Sequence, residues 1–152
     1  MASTITASTL KVTIEENIKL NGVQQGGVNT LSIGSINEIS KRIITTNGTS
    51  ATTIISFADT PAGGTFVNAN VRYVRITNLD DTNFAILRIT GDTSTDFAVR
   101  LDPSSSYIIT STSSTGLDDY ADISGVTLED LLAVSATADT AAVDLELFVA
   151  SI

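Results

Sequence analysis

The feature of this sequence that most limits its fold is a nearly continuous alternation of apolar and polar residues. The first clear segment is carried by Leu10, Val12, Ile14, Ile18 and Leu20, and the last by Val143, Leu145, Leu147 and Val149. A two-residue period puts the apolar side chains on one face of a β-strand, whereas an amphipathic helix needs a period near 3.6. The alternation therefore predicts half-buried strands.

Turn-forming residues separate the alternating segments. Asn21-Gly22 and Asn47-Gly48 are dipeptides that favour tight hairpin turns, and Pro61–Gly64 and Asp102-Pro103 are further turn signals. Between them, strands are predicted near residues 28–34, 36–46, 51–58, 71–79, 83–90, 96–101, 105–111, 131–137 and 142–150. Short strands with regular turns predict an all-β fold, a single-domain antiparallel β-sandwich of jelly-roll type.

Helical signals are few. Leu128, Leu131 and Leu132 have near-helical spacing, so at most one short helix is expected within residues 117–132. The pattern shows no linker, which predicts one domain over residues 1–152. Residues 1–20 are a candidate N-terminal strand or arm for exchange between subunits, because an exposed strand can extend a neighbour's sheet.

Three missing residue types exclude much chemistry. The chain contains no histidine, no cysteine and no tryptophan. Ser-His-Asp and Cys-His catalysis, thiolate chemistry and the usual zinc ligands are therefore excluded. We expect a protein that is not an enzyme, with no catalytic, cofactor-binding or metal site. Glycosidase chemistry by a pair of carboxylates stays open as a minor alternative, since it depends on the distance between the two carboxyl groups, which only a structure gives.

The charge is unevenly distributed along the chain. The net charge is −9, yet the first 100 residues sum to zero and the last 52 contain no lysine or arginine. An acidic surface repels phosphate, so direct nucleic-acid binding is not expected. The acidic segment of the last 52 residues either confers solubility or contacts a basic partner.

Residues 1–10 lack the basic and apolar regions of a secretory signal, and no apolar run approaches the roughly 20 residues of a membrane span. We therefore expect a soluble protein that is made in a cytosol and has no membrane partner.

Several short motifs invite a chemical interpretation. Ser8 and Lys11 match Ser-x-x-Lys, but they open a strand rather than a helix. Asn47-Gly48-Thr49 fits a glycosylation acceptor and equally a turn. Arg72 and Arg75 should face opposite sides of a strand, and either could pair with Asp80 or Asp81.

Acidic loops are the only candidate cation sites. Asp92–Asp96 resembles the start of an EF-hand loop, but the required glycine and glutamate are replaced by Phe97 and Pro103. Asp118–Asp122 and Asp80-Asp81 could hold Ca²⁺ through oxygen ligands, although solvated turns are commoner.

The most recognisable segment runs from Val71 to Phe84, with Asn78-Leu79-Asp80 between two strands. It continues through Ala85–Ile89 and Phe97–Pro103. Together with Thr9–Gly22 and residues 138–152, this succession of strand and turn residues resembles that of small virion structural proteins of tailed bacteriophages, particularly of marine phages.

The resemblance implies a β-rich structural subunit made in the host cytoplasm and assembled into the virion. Such proteins serve as capsid decoration (cement) proteins, head fibres or tail components. It also implies a homo-oligomer, a trimer being one arrangement, that contacts the major capsid protein or another virion protein. The alternative function is a tail or fibre component, or a lectin-like calcium-dependent binding module, although the absence of tryptophan disfavours a sugar platform.

Overall fold

The fold is all-β. The computed structural model describes residues 4–48, 50–92, 96–112, 116–117, 120–121 and 128–152. Strands account for 63% of the residues, and they form several antiparallel sheets of a sandwich-like fold. Within the described ranges the helical content is one 3₁₀ turn, Asn68–Asn70. The predicted all-β fold class is thus confirmed.

The chain divides into two compact units, residues 1–37 and residues 38–152. The first unit contains β1 (Ser8–Glu15), β2 (Lys19–Leu20), β3 (Val23–Gln24) and β4 (Val28–Ile36). The expectation of one domain over residues 1–152, with residues 1–20 as an exchangeable arm, stays a prediction.

The second unit contains the remaining strands. They are β5 (Glu38–Thr46), β6 (Thr52–Ala58), β7 (Phe66–Val67), β8 (Val71–Asn78), β9 (Ala85–Gly91), β10 (Asp96–Leu101), β11 (Ser106–Thr110), β12 (Tyr120–Ala121), β13 (Leu128–Glu129), β14 (Leu131–Ala138) and β15 (Val143–Ser151). The longer strands agree closely with the ranges that alternation predicts. In the region where a short helix is expected at most, residues 117–132, the described residues lie in strands or have no regular secondary structure, and residues 118–119 and 122–127 lie outside the described residues.

Two sheets in the second unit have the strand order of a jelly roll. One sheet has the order β10-β9-β14-β6, with β7 added in parallel at the β6 edge, and the other has the order β11-β8-β15-β5. If the eight long strands are counted along the chain, the orders are 5-4-7-2 and 6-3-8-1. The first strand therefore pairs with the last strand, and the second strand pairs with the seventh. This pairing is the double Greek key of jelly-roll domains.

The core lies between these two sheets because alternate residues of each strand face inward. In β15, Val143, Leu145, Leu147 and Val149 are at most 1% exposed. Val74 and Ile76 of the neighbouring strand β8 lie on the same inner face. The facing sheet contributes Ile54, Leu87, Ile89 and Val134 to the core. At the edge, the guanidinium of Arg42 donates to the carbonyl of Ile54 at 2.7 Å and joins β5 to β6 of the other sheet.

Candidate interaction surface

The first unit is a two-stranded antiparallel ribbon, defined here as residues 8–36, with one apolar face. Cross-strand register pairs Leu10 with Ile33 and Val12 with Leu31, whereas Lys11 pairs with Ser32 and Thr13 with Thr30. Side chains directly opposite each other in a ladder lie on the same face. Over residues 10–13 and 30–33 one face of the ribbon is therefore apolar and the other is polar. Farther along, Ile14 pairs with Asn29 and Glu15 pairs with Val28, so each face carries both kinds of side chain there.

The far end of the ribbon is closed by a small hairpin, the tip (residues 19–24). Leu20 pairs with Val23 across the Asn21-Gly22 turn, and the φ angles of Asn21 and Gly22 are +50° and +81°. Positive φ at both central residues is the geometry of a type I′ turn, so the predicted Asn-Gly turn is present.

An irregular step joins the tip to the longer strands. The amide of Glu16 donates to the carbonyl of Gly27, and the amide of Gln25 donates to that of Ile18, both at 2.9 Å. A Cβ at Gly26 would lie 2.5 Å from the carbonyl carbon of Glu16. Only a residue without a side chain allows the two backbones to approach this closely.

Apolar exposure increases along the ribbon toward the tip. Ile33 is 4% exposed, whereas Leu20 and Val23 are 57% and 58% exposed. Large apolar side chains that are also exposed in this part are Ile14, Ile18 and Val28. Two-stranded hairpins are marginally stable in water, and contiguous exposed apolar groups mark interaction surfaces. The distal ribbon, residues 14–28, is therefore the strongest candidate for a protein-binding surface.

Sequence reasoning found only part of this surface. The candidate arm of residues 1–20 includes β1 and β2, but the ribbon continues through Val23 and Val28 to Ile36. The available signal was the Asn21-Gly22 turn, because a tight turn after one strand requires an antiparallel return strand beside it.

The residues between β8 and β9 form a corner between the two sheets. Asn78 ends β8 with no exposed surface. Its amide nitrogen donates to the carbonyls of Asn83 (2.9 Å) and Leu101 (3.2 Å), and its oxygen accepts the amide of Asp80 at 2.9 Å. Asp80 in turn accepts the amides of Thr82 and Asn83 at 2.8 and 2.6 Å. These residues shape the crossing from β8 to β9.

Because Asp80 accepts these backbone hydrogen bonds, first from Asn83 and then from Thr82, its pKa lies below the ordinary value. A carboxyl whose folded pKa is lowered stabilises the fold above the unfolded pKa of about 3.9, and this contribution is lost as the pH falls through the folded value. Asp80→Asn keeps an acceptor oxygen but removes the charge. Below about pH 4 we therefore expect the free energy of unfolding to fall less in this variant than in the unaltered chain.

The measurement is urea unfolding followed over a pH series from neutral to acid. Asp81→Asn is the matched control, because Asp81 accepts only the neighbouring Thr82 hydroxyl, at 2.9 Å. It should keep the acid dependence of the unaltered chain. Equal acid dependence in the Asp80→Asn chain and the unaltered chain would contradict this role of Asp80.

The other acidic candidates are not brought together as a cation site in the described residues. Within those residues no group of three or more histidine, cysteine, aspartate or glutamate side chains is placed to hold a metal ion. Asp96 forms an ion pair with Arg88. Residues 93–95 of the Asp92–Asp96 loop, and Asp118, Asp119 and Asp122, lie outside the described residues.

The arginines of β8 do not pair with Asp80 or Asp81. Arg75 contacts the carboxylate of Glu146 at 2.5 Å, and Lys41 contacts the same carboxylate at 2.9 Å. Lys41 and then Arg75 hold the pKa of Glu146 below its ordinary value, although partial burial opposes the shift. Arg72 is buried, and its guanidinium donates to the carbonyls of Ala69 and Val71. The expectation of an Asp80 or Asp81 partner was wrong.

Two cavities of similar size lie in the second unit. One of about 270 Å³ lies between β10 and β11 and is lined by Ile89, Phe97, Tyr107, Ile108, Ile109, Thr110 and Leu131. Another of about 280 Å³ lies beside β7, where the Ser151 hydroxyl donates to Glu38 at 3.2 Å. Glu38 and Ser151 are register partners at the ends of β5 and β15, so this hydroxyl–carboxylate contact joins two paired strands. The described lining residues of the two cavities include no histidine or lysine.

A third cavity, of about 20 Å³, adjoins Asn68. The side-chain amide of Asn68 is buried, and neither its oxygen nor its nitrogen has a hydrogen-bond partner among the described residues. A cavity of this size holds about one water molecule, which could donate to one atom and accept from the other. A cation could satisfy only the oxygen.

The two remaining motifs lie in or beside strands. Ser8 and Lys11 are both in β1. Asn47 and Gly48 follow β5, and Thr49 lies outside the described residues.

No helix within the described parts of the chain is long and apolar enough to cross a membrane. Comparison with family models, curated proteins and solved structures gave no match to this chain.

Proposed function

We propose that this protein is a non-enzymatic structural subunit of a tailed-phage virion, and specifically a capsid decoration (cement) protein that stabilises the head lattice through β-rich contacts. It would be made in the host cytoplasm and act in the virion, with itself and the major capsid protein or another virion protein as partners. A role in a tail or head fibre is the nearest alternative within the same class.

The observation that carries the proposal is the ribbon. Its distal part exposes the large aliphatic side chains of Ile14, Ile18, Leu20 and Val23, and Val28 is exposed on the face opposite to Ile14. A surface of this kind is stabilised when a protein partner removes it from water, at roughly 25 cal/mol per Å² of apolar area. A chain that works by contact needs such a surface and needs no catalytic group.

Two further features support the proposal. The jelly roll of residues 38–152 is an architecture used by viral capsid and lectin domains, which is support by analogy only. The corner built by Asn78 and Asp80 belongs to the segment that resembles phage structural proteins, and its side chains are engaged in shaping the fold. The lectin-like, calcium-dependent alternative gains no specific support, since Asp80 is occupied by backbone amides.

The experiment is to purify virions of the phage that encodes this sequence and to quantify the chain by mass spectrometry against the major capsid protein. Gold-labelled antibodies against the chain should bind the heads of intact particles. Labelling of tails or fibres would replace the decoration role by the alternative. Absence of the chain from purified virions would overturn the proposal.

A further inference from the structure

We infer that the distal ribbon, residues 14–28, binds the same part of a second copy of this chain, so that the ribbon is the self-association surface. The inference rests on the proposed structural role and names the partner of its surface.

The first argument is that the distal ribbon lacks cover within its own unit. Leu20 and Val23 lie opposite each other in the tip, on one face of the hairpin, and more than half of each side chain is exposed. The backbone order of the tip depends on few hydrogen bonds, and a hairpin with an uncovered apolar face is marginally stable. A partner that covers this face would stabilise both the contact and the ribbon itself.

The second argument is that charge favours a second copy as this partner. Residues 1–37 contain two lysines and two glutamates, whereas residues 38–152 contain six basic and fifteen acidic residues and so carry the whole net charge of −9. Two copies that met through residues 38–152 would repel each other. The ribbon is the part of the chain through which copies can meet without that repulsion.

The third argument is that the ribbon carries both positive and negative side chains, so the charges of one copy can attract the opposite charges of another. Lys19 lies in the tip, and Glu15 and Glu16 lie at the step that precedes it; within the described residues none of the three forms an ion pair. If two ribbons lie antiparallel, the lysine of each comes near the glutamates of the other. An isologous contact of this kind needs only one self-complementary patch.

The test is sedimentation velocity of the full purified chain at about 1–100 µM, a range that brackets contacts of micromolar affinity. The unaltered chain should self-associate. The double variant Leu20→Thr/Val23→Thr places β-branched side chains, which suit a strand, at both positions of the tip but removes apolar area. It should raise the dissociation constant by at least about tenfold.

The matched control is Ile39→Thr/Ile43→Thr. These isoleucines are each 60% exposed, so a similar apolar area is removed from the edge strand β5. The control should associate like the unaltered chain. An unaltered chain that is monomeric throughout, or a control that dissociates while the tip variant does not, would overturn the inference.

Salt provides a second readout. Raising NaCl from about 0.05 to 0.5 M shortens the Debye length from about 14 to about 4 Å and screens the repulsion between the acidic units. Salt also screens the lysine–glutamate attraction between the ribbons, but exposed ion pairs contribute only about 0–1 kcal/mol each. The repulsion between two copies of net charge −9 outweighs this attraction, so association through the ribbon should strengthen with salt. Association that weakens with salt would contradict it.

Because the chain has no cysteine, single-cysteine variants give a direct probe of proximity. Asn17 is exposed and lies between Glu16 and Lys19, near the two-fold axis of such an antiparallel contact. Asn17→Cys should therefore form a disulfide-linked dimer on oxidation, whereas Asp139→Cys in an exposed turn of the second unit should not. A chain that associates through its ribbon but is absent from virions would refute only the proposed function. A chain present in virions but monomeric in solution would refute only this inference.

Discussion

Replacing Gly116 with alanine is expected to destabilise the jelly roll by at least about 3 kcal/mol, because two independent costs combine at this residue. Its φ is +91°, a conformation that L-residues rarely adopt, and a Cβ there would overlap the carbonyl oxygen of Asn68 and lie 2.8 Å from the Cα of Ala69. Both obstacles are backbone atoms, so no side chain can rotate away.

The damage should spread into the core. Leu117 follows directly and has no exposed surface, and its carbonyl accepts the amide of Leu131 at 3.3 Å. Any shift that relieves the overlap at Gly116 therefore moves a buried leucine and the start of β14.

Urea unfolding, followed by circular dichroism, measures the effect. Gly63→Ala is the control, since nothing lies within 4 Å of its added Cβ and its φ is not positive. It should alter the unfolding free energy by less than about 1 kcal/mol. Equal stability of the two variants would show that the backbone does not pass this closely over Asn68.

Replacing Gly26 with alanine is expected to open the tip of the ribbon. The added Cβ would meet the backbone of Glu16, so the strands must separate at the step. The hydrogen bonds from Glu16 to Gly27 and from Gln25 to Ile18 would then be lost, at about 0.5–1.5 kcal/mol each. Strain would add to this cost, and we expect roughly 2–4 kcal/mol locally.

Amide hydrogen exchange followed by NMR can test this residue by residue. The amides of Glu16 and Gln25 should exchange at least about 30-fold faster in the Gly26→Ala variant, which corresponds to about 2 kcal/mol. Gly27→Ala is an adjacent control, because a Cβ at Gly27 meets nothing within 4 Å. If both variants exchange alike, the close approach at Gly26 does not support the ribbon.

The two variants also bear on function. If self-association uses the distal ribbon, Gly26→Ala should weaken it together with the protection of the tip amides, whereas Gly27→Ala should weaken neither. Loss of association without loss of protection would mean that the tip order and the contact are separate properties.

The positions of the strands could be read from the sequence because their cause is local. Alternation in Val143–Ser151 and the β-branched residues of Val71–Asn78 place the strands within a residue or two of their actual ends. The Asn21-Gly22 hairpin was predictable for the same reason, since its turn geometry depends on two adjacent residues.

Which strands pair was not predictable beyond the general class, because pairing joins distant segments. Glu38 is paired with Ser151, and no local pattern carries that information. The boundary between the two units, after Asn37, has no local signal, because no linker residues separate the apolar Ile36 from Ile39. Asn78 looked like an ordinary turn residue, although its burial and three hydrogen bonds depend on Leu101 and Asn83 arriving beside it.

The place of β15 within its sheet has a consequence for how the chain acquires its fold. It lies between β5 and β8 and pairs with both along nearly its whole length. During synthesis those two strands must wait, with their edges unpaired, until Ser151 has left the ribosome. Folding that depends on such long-range pairing is slow and exposes strand edges to misassembly. The ribbon precedes the jelly roll in the chain and emerges before it, so copies on neighbouring ribosomes can meet through their ribbons before either jelly roll has closed.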